Sequence, residues 1–98
     1  MTSVTHVVLV SWKDGRAAVA EESIRPAIRA FAGTIPGILG IAEGGSTSPE
    51  GLEDGHDYGF VVTFDSAPAR DSYLTDPRHR LVADEIGHNA QRIVVFDI

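Results

Sequence analysis

An α+β fold of order β-α-β-β-α-β is predicted by three features of the sequence. β-branched apolar runs stand near both ends of the chain, a helix-period stripe follows the first of them, and two proline-marked helix starts follow a central hairpin. At 98 residues the chain holds one core and one domain, spanning 1–98.

The elements follow in order. Val4 to Trp12 is an apolar strand closed by the turn residues Lys13-Asp14-Gly15. Its two faces, His6, Val8, Val10, Trp12 and Thr5, Val7, Leu9, Ser11, are both largely apolar, the mark of a strand covered on both sides. From Arg16 to Ala32, Ala20, Ile24, Ala27, Ile28 and Phe31 form one helical stripe opposite Glu21, Glu22, Arg25 and Arg29. Pro26 falls inside this stretch and predicts a continuous helix with a kink, ended by Gly33 and Pro36-Gly37. Ile38 to Gly45 and Tyr58 to Phe64 are strands, and the glycine-rich segment Gly44 to Gly55 between them is a hairpin loop. It has no lysine and leads into a strand, so it is not a phosphate-binding loop. Ser66 caps a short helix reaching Leu74; Asp76 and Pro77 start a second, which carries Leu81, Val82 and Ile86 inward and stops at Gly87. Arg92 to Ile98 is the last strand.

This order is the ferredoxin-like arrangement, four antiparallel strands with both helical regions on one face. Strands one, three and four are nevertheless apolar on both faces. A second copy packed sheet against sheet covers the bare side, through an interface above the ~2,000 Å² of obligate homodimers. The formal charge of -6 disfavours nucleic acid and anionic lipid as partners. No apolar stretch approaches a membrane span, and the N-terminal residues carry no leader pattern, so a cytoplasmic location is expected. Zero cysteines exclude disulfides, thiol catalysis and Cys-ligated metals. The four histidines show no metal-ligand spacing, and no flavin, nicotinamide or nucleophile-elbow motif occurs, so no cofactor is expected.

With Asp76 as cap, His79 occupies the third position of its helix, where the positive helix end favours a neutral, proton-accepting imidazole. Free N–H groups there could hold a carboxylate or enolate, and Tyr73 could donate its phenol to the same oxygen. The alternative is a solvated His79 with Tyr73 packed over the edge of the core. His6 is either a core histidine with one satisfied nitrogen or, if its face looks toward the helices, a partner of His79 across a cleft lined by Trp12, Tyr58 and Phe60. His56 lies in a turn and His88 at a helix end, where a cation is favoured.

The sequence resembles the stress-responsive dimeric α/β-barrel (Dabb) family. The resemblance is carried by His6-Val7-Val8-Leu9-Val10 with Trp12-Lys13, Ile35-Pro36-Gly37-Ile38, Tyr58 through Ser66, Tyr73-Leu74-Thr75-Asp76-Pro77-Arg78-His79, and Val94-Val95-Phe96-Asp97. It implies a ferredoxin-like protomer whose sheet pairs with a second copy's into a barrel, with a small hydrophobic or carbonyl ligand held between sheet and helices. Many family members are stress-associated proteins without an assigned reaction. A plant polyketide cyclase of the olivetolic acid type, similar in this way, implies a cofactor-free ring closure with His79 as base, Tyr73 as donor and His6 in the cleft; the sequence departs from it at Tyr58, where that enzyme has a histidine. Related dimeric ferredoxin-like barrels imply a third activity, cofactor-independent oxygenation.

Overall fold

The computed structural model describes residues 2–98. Strand β1 (Val4–Trp12) runs into a helical stretch made of α1 (Ala17–Val19), a π-helical turn (Ala20–Ile24) and α2 (Arg25–Thr34). Then come β2 (Ile38–Gly44), β3 (Tyr58–Phe64), α3 (Ala67–Thr75), α4 (Pro77–Asn89) and β4 (Ala90–Asp97). The sheet order is β2-β3-β1-β4, with every neighbouring pair antiparallel. This is the ferredoxin-like α+β fold expected from the sequence. No helix among the described residues is long and apolar enough to cross a membrane.

The side chains alternate across the sheet with a period of two, so β1 and β3 send His6, Val8, Val10, Trp12 and Tyr58, Phe60, Val62, Phe64 to the same, helix-covered face. All eight are buried. Ile24, Ile28 and Phe31 close over them from the first helical stretch, and Tyr73, Val82 and Ile86 from α3 and α4. The opposite face has no cover within the chain. Leu9 is 38% exposed there, Phe96 65% and Ile98 78%, so the expected two-sided burial of the sheet is not met by one copy.

Four expectations need correction. The kink near Pro26 takes the form of the π turn just ahead of it. Proline lacks the N–H that would close a normal helical bond, and the wider turn lets the chain stay helical from Ala17 through Thr34, past Gly33. Second, Leu81 is 73% exposed; the inward stripe of α4 is His79, Val82, Ala83 and Ile86, at helical spacing. Third, α4 continues through Gly87 to Asn89, whose buried side-chain amide donates to the Glu85 carbonyl at 2.8 Å while its own carbonyl accepts from Lys13 N–H. Fourth, β4 consequently starts at Ala90, and β2 ends at Gly44.

Two contacts tie the layers together. Glu43 on β2 accepts from Arg25 Nε at 2.7 Å and Arg29 Nη1 at 2.8 Å. The Arg25 hydrogen bond holds the Glu43 carboxyl down to about 2 against the opposing cost of burial. Gly37, in the turn from α2 to β2, has φ +86°, and a Cβ there would lie 2.6 Å from Ala69 Cβ. Glycine is required twice over, by conformation and by the approach of α3. Gly37→Ala is expected to lower the thermal midpoint by about 10 °C. Gly87→Ala, in a helix with nothing within 4 Å of the new methyl, is expected to lower it not at all. Melting curves of the two variants check this, and a Gly37→Ala protein melting like the parent contradicts the packing described.

Candidate functional site

The side chains singled out on β1, α3 and α4 meet in a cavity of about 590 Å³ between the helices and the β1–β4 half of the sheet. Its wall is largely apolar, with Val8, Ile28, Phe31, Phe60, Val82 and Ile86 contributing. His6, Tyr73 and His79 all line it, together with Arg70, Asp71 and Asp97.

A single residue places Tyr73 against His79. Asp76 ends α3, where its N–H donates to the Tyr73 carbonyl at 3.1 Å, and starts α4, where its carboxylate accepts from Arg78 N–H at 2.8 Å. The extended backbone of Asp76 and the fixed φ of Pro77 turn the chain sharply between the helices. The two rings consequently come to 4.2 Å between centroids, tilted by 46°. Tyr73 is also wedged against Phe64 at 5.0 Å, Phe31 at 5.8 Å and His6 at 5.9 Å, and is 1% exposed.

Burial pushes the Tyr73 phenol well above its ordinary value, so it stays protonated and can act as a donor. Burial also lowers His79, outweighing the Leu74 backbone carbonyl, which favours the charged ring. The neutral imidazole expected from the sequence is thus favoured mainly by desolvation. Of the first-turn N–H groups expected beside it, Pro77 supplies none and that of Arg78 is engaged by the Asp76 carboxylate, which also holds the Arg78 guanidinium. His79 Nδ1 is fully buried without a hydrogen-bond partner. A buried polar atom left unpaired is costly to keep.

The helix-facing orientation of β1 brings His6 into the cavity. His6 Nδ1 lies 2.7 Å from Asp97 Oδ1, and Arg70 Nη1 on α3 donates to Asp97 Oδ2 at 2.6 Å. Although burial opposes it, the Arg70 and His6 contacts hold the Asp97 carboxyl below the usual carboxylate range. Arg70 and Asp97 were not singled out from the sequence. Asp97 shares a strand face with Ile93 and Val95, and only the β1–β4 register reveals that this face is that of His6.

Of the three expected lining residues, Phe60 is in the wall, and Trp12 and Tyr58 are not. They sit farther along the same sheet face, stacked at 5.8 Å and 28°, with the Arg25 guanidinium 5.5 Å from the Tyr58 ring. Strand alternation puts them on the right face but does not say where on that face the packing is closed, as it is around Trp12 and Tyr58, and where it leaves a cavity. His56 and His88 are held by local contacts to the Glu53 and Asp84 carbonyls. Among the described residues no group of three or more His, Cys, Asp or Glu is arranged to hold a metal ion.

The sheet order, the one-sided helix layer and the cavity beneath it define a ferredoxin-like α/β-barrel protomer. The family model for the stress responsive A/B barrel domain, Dabb, matches residues 4–98, and the chain belongs to this family. Among solved structures, a dimeric ferredoxin-like protein of unknown function from Jannaschia sp. is 21% identical with a TM-score of 0.89, over 99% of this chain and 98% of that one. A protein from Arabidopsis thaliana is 27% identical with a TM-score of 0.86, over 97% and 92%. A hydroxynitrile lyase from Passiflora edulis is 20% identical with a TM-score of 0.87, over 98% and 91%. Comparison with curated proteins gives no significant match.

The lowered His79 value has a testable sign. A histidine that is harder to protonate folded than unfolded loses stability as pH falls below the ordinary imidazole value of about 6.5. His79→Gln is therefore expected to show a smaller loss of urea stability between about pH 7.5 and 5.5 than the parent. NMR titration of the ring C–H signals is expected to place His79 below that ordinary value; a midpoint at or above it contradicts the burial argument.

Proposed function

We propose that this protein is a cytoplasmic homodimer that binds a small, mostly apolar carbonyl or phenolic ligand in the helix-covered cavity, without a cofactor. The observation that carries the reading is a cavity of about 590 Å³ with largely apolar walls, lined by Tyr73 and His79 with their rings in contact; burial favours the protonated phenol and the neutral imidazole. That volume lies within the range of small-molecule sites, ~300–1,000 Å³. A few converging polar groups in an apolar wall are what such sites use to orient a ligand. The open sheet face supports the dimer: Leu9 on β1, Val94 and Phe96 on β4, and Ile98 just past the end of β4 are exposed together. Structural neighbours from Jannaschia sp., Bacteroides fragilis and Thermobifida fusca are described as dimeric. The acidic net charge of -6 disfavours nucleic acid and anionic membranes as partners.

A second reading, proton abstraction beside a carbonyl, is favoured by the Tyr73–His79 contact. Tyr73 would donate to the carbonyl oxygen as negative charge develops there, and His79 would take the proton from the adjacent carbon. The hydroxynitrile lyase from Passiflora edulis shows that a protein of this fold is a lyase.

Acetophenone, an aromatic ketone with exchangeable methyl hydrogens, tests both readings. On titration, NMR shifts are expected at Val8, Phe60, Val82 and Ile86, and Val82→Trp, which fills the cavity, is expected to abolish them. Shifts confined to the open sheet face, or none at millimolar ketone, overturn the ligand site. In heavy water the protein is expected to accelerate methyl deuteration, with His79→Gln losing at least ~100-fold. Equal rates in the two proteins remove the base assignment.

A further inference from the structure

The cavity holds two histidines, and they are not equivalent. His79 stands on α4 with Nδ1 unpartnered, whereas His6 stands on the central strand with Nδ1 bound to a carboxylate that is itself clamped. We propose that Asp97, held by Arg70, is a positioning residue that locks His6 in its Nδ1–H tautomer and so presents Nε2 to the cavity as an acceptor for ligands bearing a phenolic or enolic hydroxyl. The inference rests on the reading of the cavity as a ligand site and adds the chemical class its floor selects.

The argument begins in the strand register. β1 and β4 run antiparallel with His6 directly opposite Asp97, so the two side chains share the helix-covered face. Arg70 reaches down from α3 to take Oδ2 at 2.6 Å, leaving Oδ1 for His6 at 2.7 Å. An ionised carboxylate can only accept, so the proton of that contact belongs to His6 Nδ1. The ring itself is held: it is 4% exposed, with Phe64 at 6.2 Å and Tyr73 at 5.9 Å in edge-to-face contact. Nε2 has no protein partner among the described residues. In the neutral ring the second nitrogen is then an obligatory acceptor, and His6 lines the cavity from which a ligand can supply the donor. The charged and titratable groups around it are Arg70, Asp71, Asp97, Tyr73 and His79. Of these, only Asp97 hydrogen-bonds the His6 ring.

The Asp97→Asn variant reverses the logic without changing the shape. Arg70, which can only donate, claims the amide oxygen, and the amide NH₂ is turned toward His6. His6 Nδ1 must then accept, and the proton moves to Nε2.

Long-range ¹H–¹⁵N spectra of histidine-labelled protein at about pH 8.5, well above the ordinary imidazole value, read the tautomer directly. Wild type is expected to show a protonated Nδ1 and a bare Nε2 for His6, Asp97→Asn the reverse, and Arg70→Lys the wild-type pattern. A proton on Nε2 in wild type, or an unchanged pattern in Asp97→Asn, overturns the proposal. The same proteins are titrated with p-cresol and with toluene, which lacks the hydroxyl. Wild type is expected to prefer p-cresol to toluene by about fivefold, the worth of one neutral hydrogen bond, and to bind p-methylanisole, whose oxygen can only accept, no better than toluene. Asp97→Asn, with Nε2–H as a donor, is expected to gain a preference for p-methylanisole over toluene. Equal treatment of p-methylanisole by the two proteins with the tautomer reversed overturns the ligand class. If none of these compounds binds, the ligand-site reading fails, and the wild-type tautomer still decides the role of Asp97.

Discussion

The antiparallel register of β1 is the constraint on which the rest depends. As a central strand, β1 pairs on both sides, with β3 and with β4, and every side chain in its row is thereby assigned to one face. A slip of one residue would send His6, Val8, Val10 and Trp12 to the open side and Val7 and Leu9 under the helices. The same register sets His6 opposite Asp97 and Val8 opposite Phe60, so the floor of the cavity is a property of strand pairing before any helix is placed. It also leaves Leu9, Val94, Phe96 and Ile98 together on the uncovered face. The molecule is divided by its sheet into a finished face that carries the cavity and an unfinished one that a second copy is proposed to complete.

The helices add the roof through one economical junction. Asp76 caps one helix and opens the next, and the geometry it imposes sets the Tyr73 and His79 rings in contact. Holding a phenol and two imidazoles around an apolar space is costly in a chain of this size, because each polar group loses water on burial. The partly exposed Asp97, paired with Arg70, offsets part of that cost by binding His6. His79 Nδ1 is left without such relief. Burial shifts Tyr73 and His79 away from their ordinary values in opposite directions, which keeps one a donor and the other an acceptor near neutrality.

Much of this was legible in the sequence because it depends on local rules. Alternation gave β1 and β3 their faces, Ser66 and Asp76 marked helix starts, and Tyr73 and His79 were singled out by their place around the Asp76-Pro77 junction. What stayed hidden depends on distance through space. Arg70 and Asp97 are far apart in the chain and read individually as surface charge; only the β1–β4 pairing sets Asp97 beside His6, and only the fold brings Arg70 of α3 to Asp97. Trp12 and Tyr58 share a face with the cavity residues, yet they are packed tightly into the core, and alternation carries no information about where packing leaves a space. The π turn was visible only as a conflict between a continuous helical stripe and Pro26. Leu81 is apolar but lies out of phase with the stripe of His79, Val82, Ala83 and Ile86, and helical phase, not hydrophobicity, decides which side chains of α4 face inward.

The central claim is that a sheet apolar on both sides cannot stand alone with helices on only one of them. Sedimentation equilibrium at micromolar concentration tests it most directly. The account predicts a mass of two chains with no measurable dissociation, reduced toward one chain when Phe96 and Val94 are both replaced by glutamate. A parent protein that sediments as a stable single chain would contradict it.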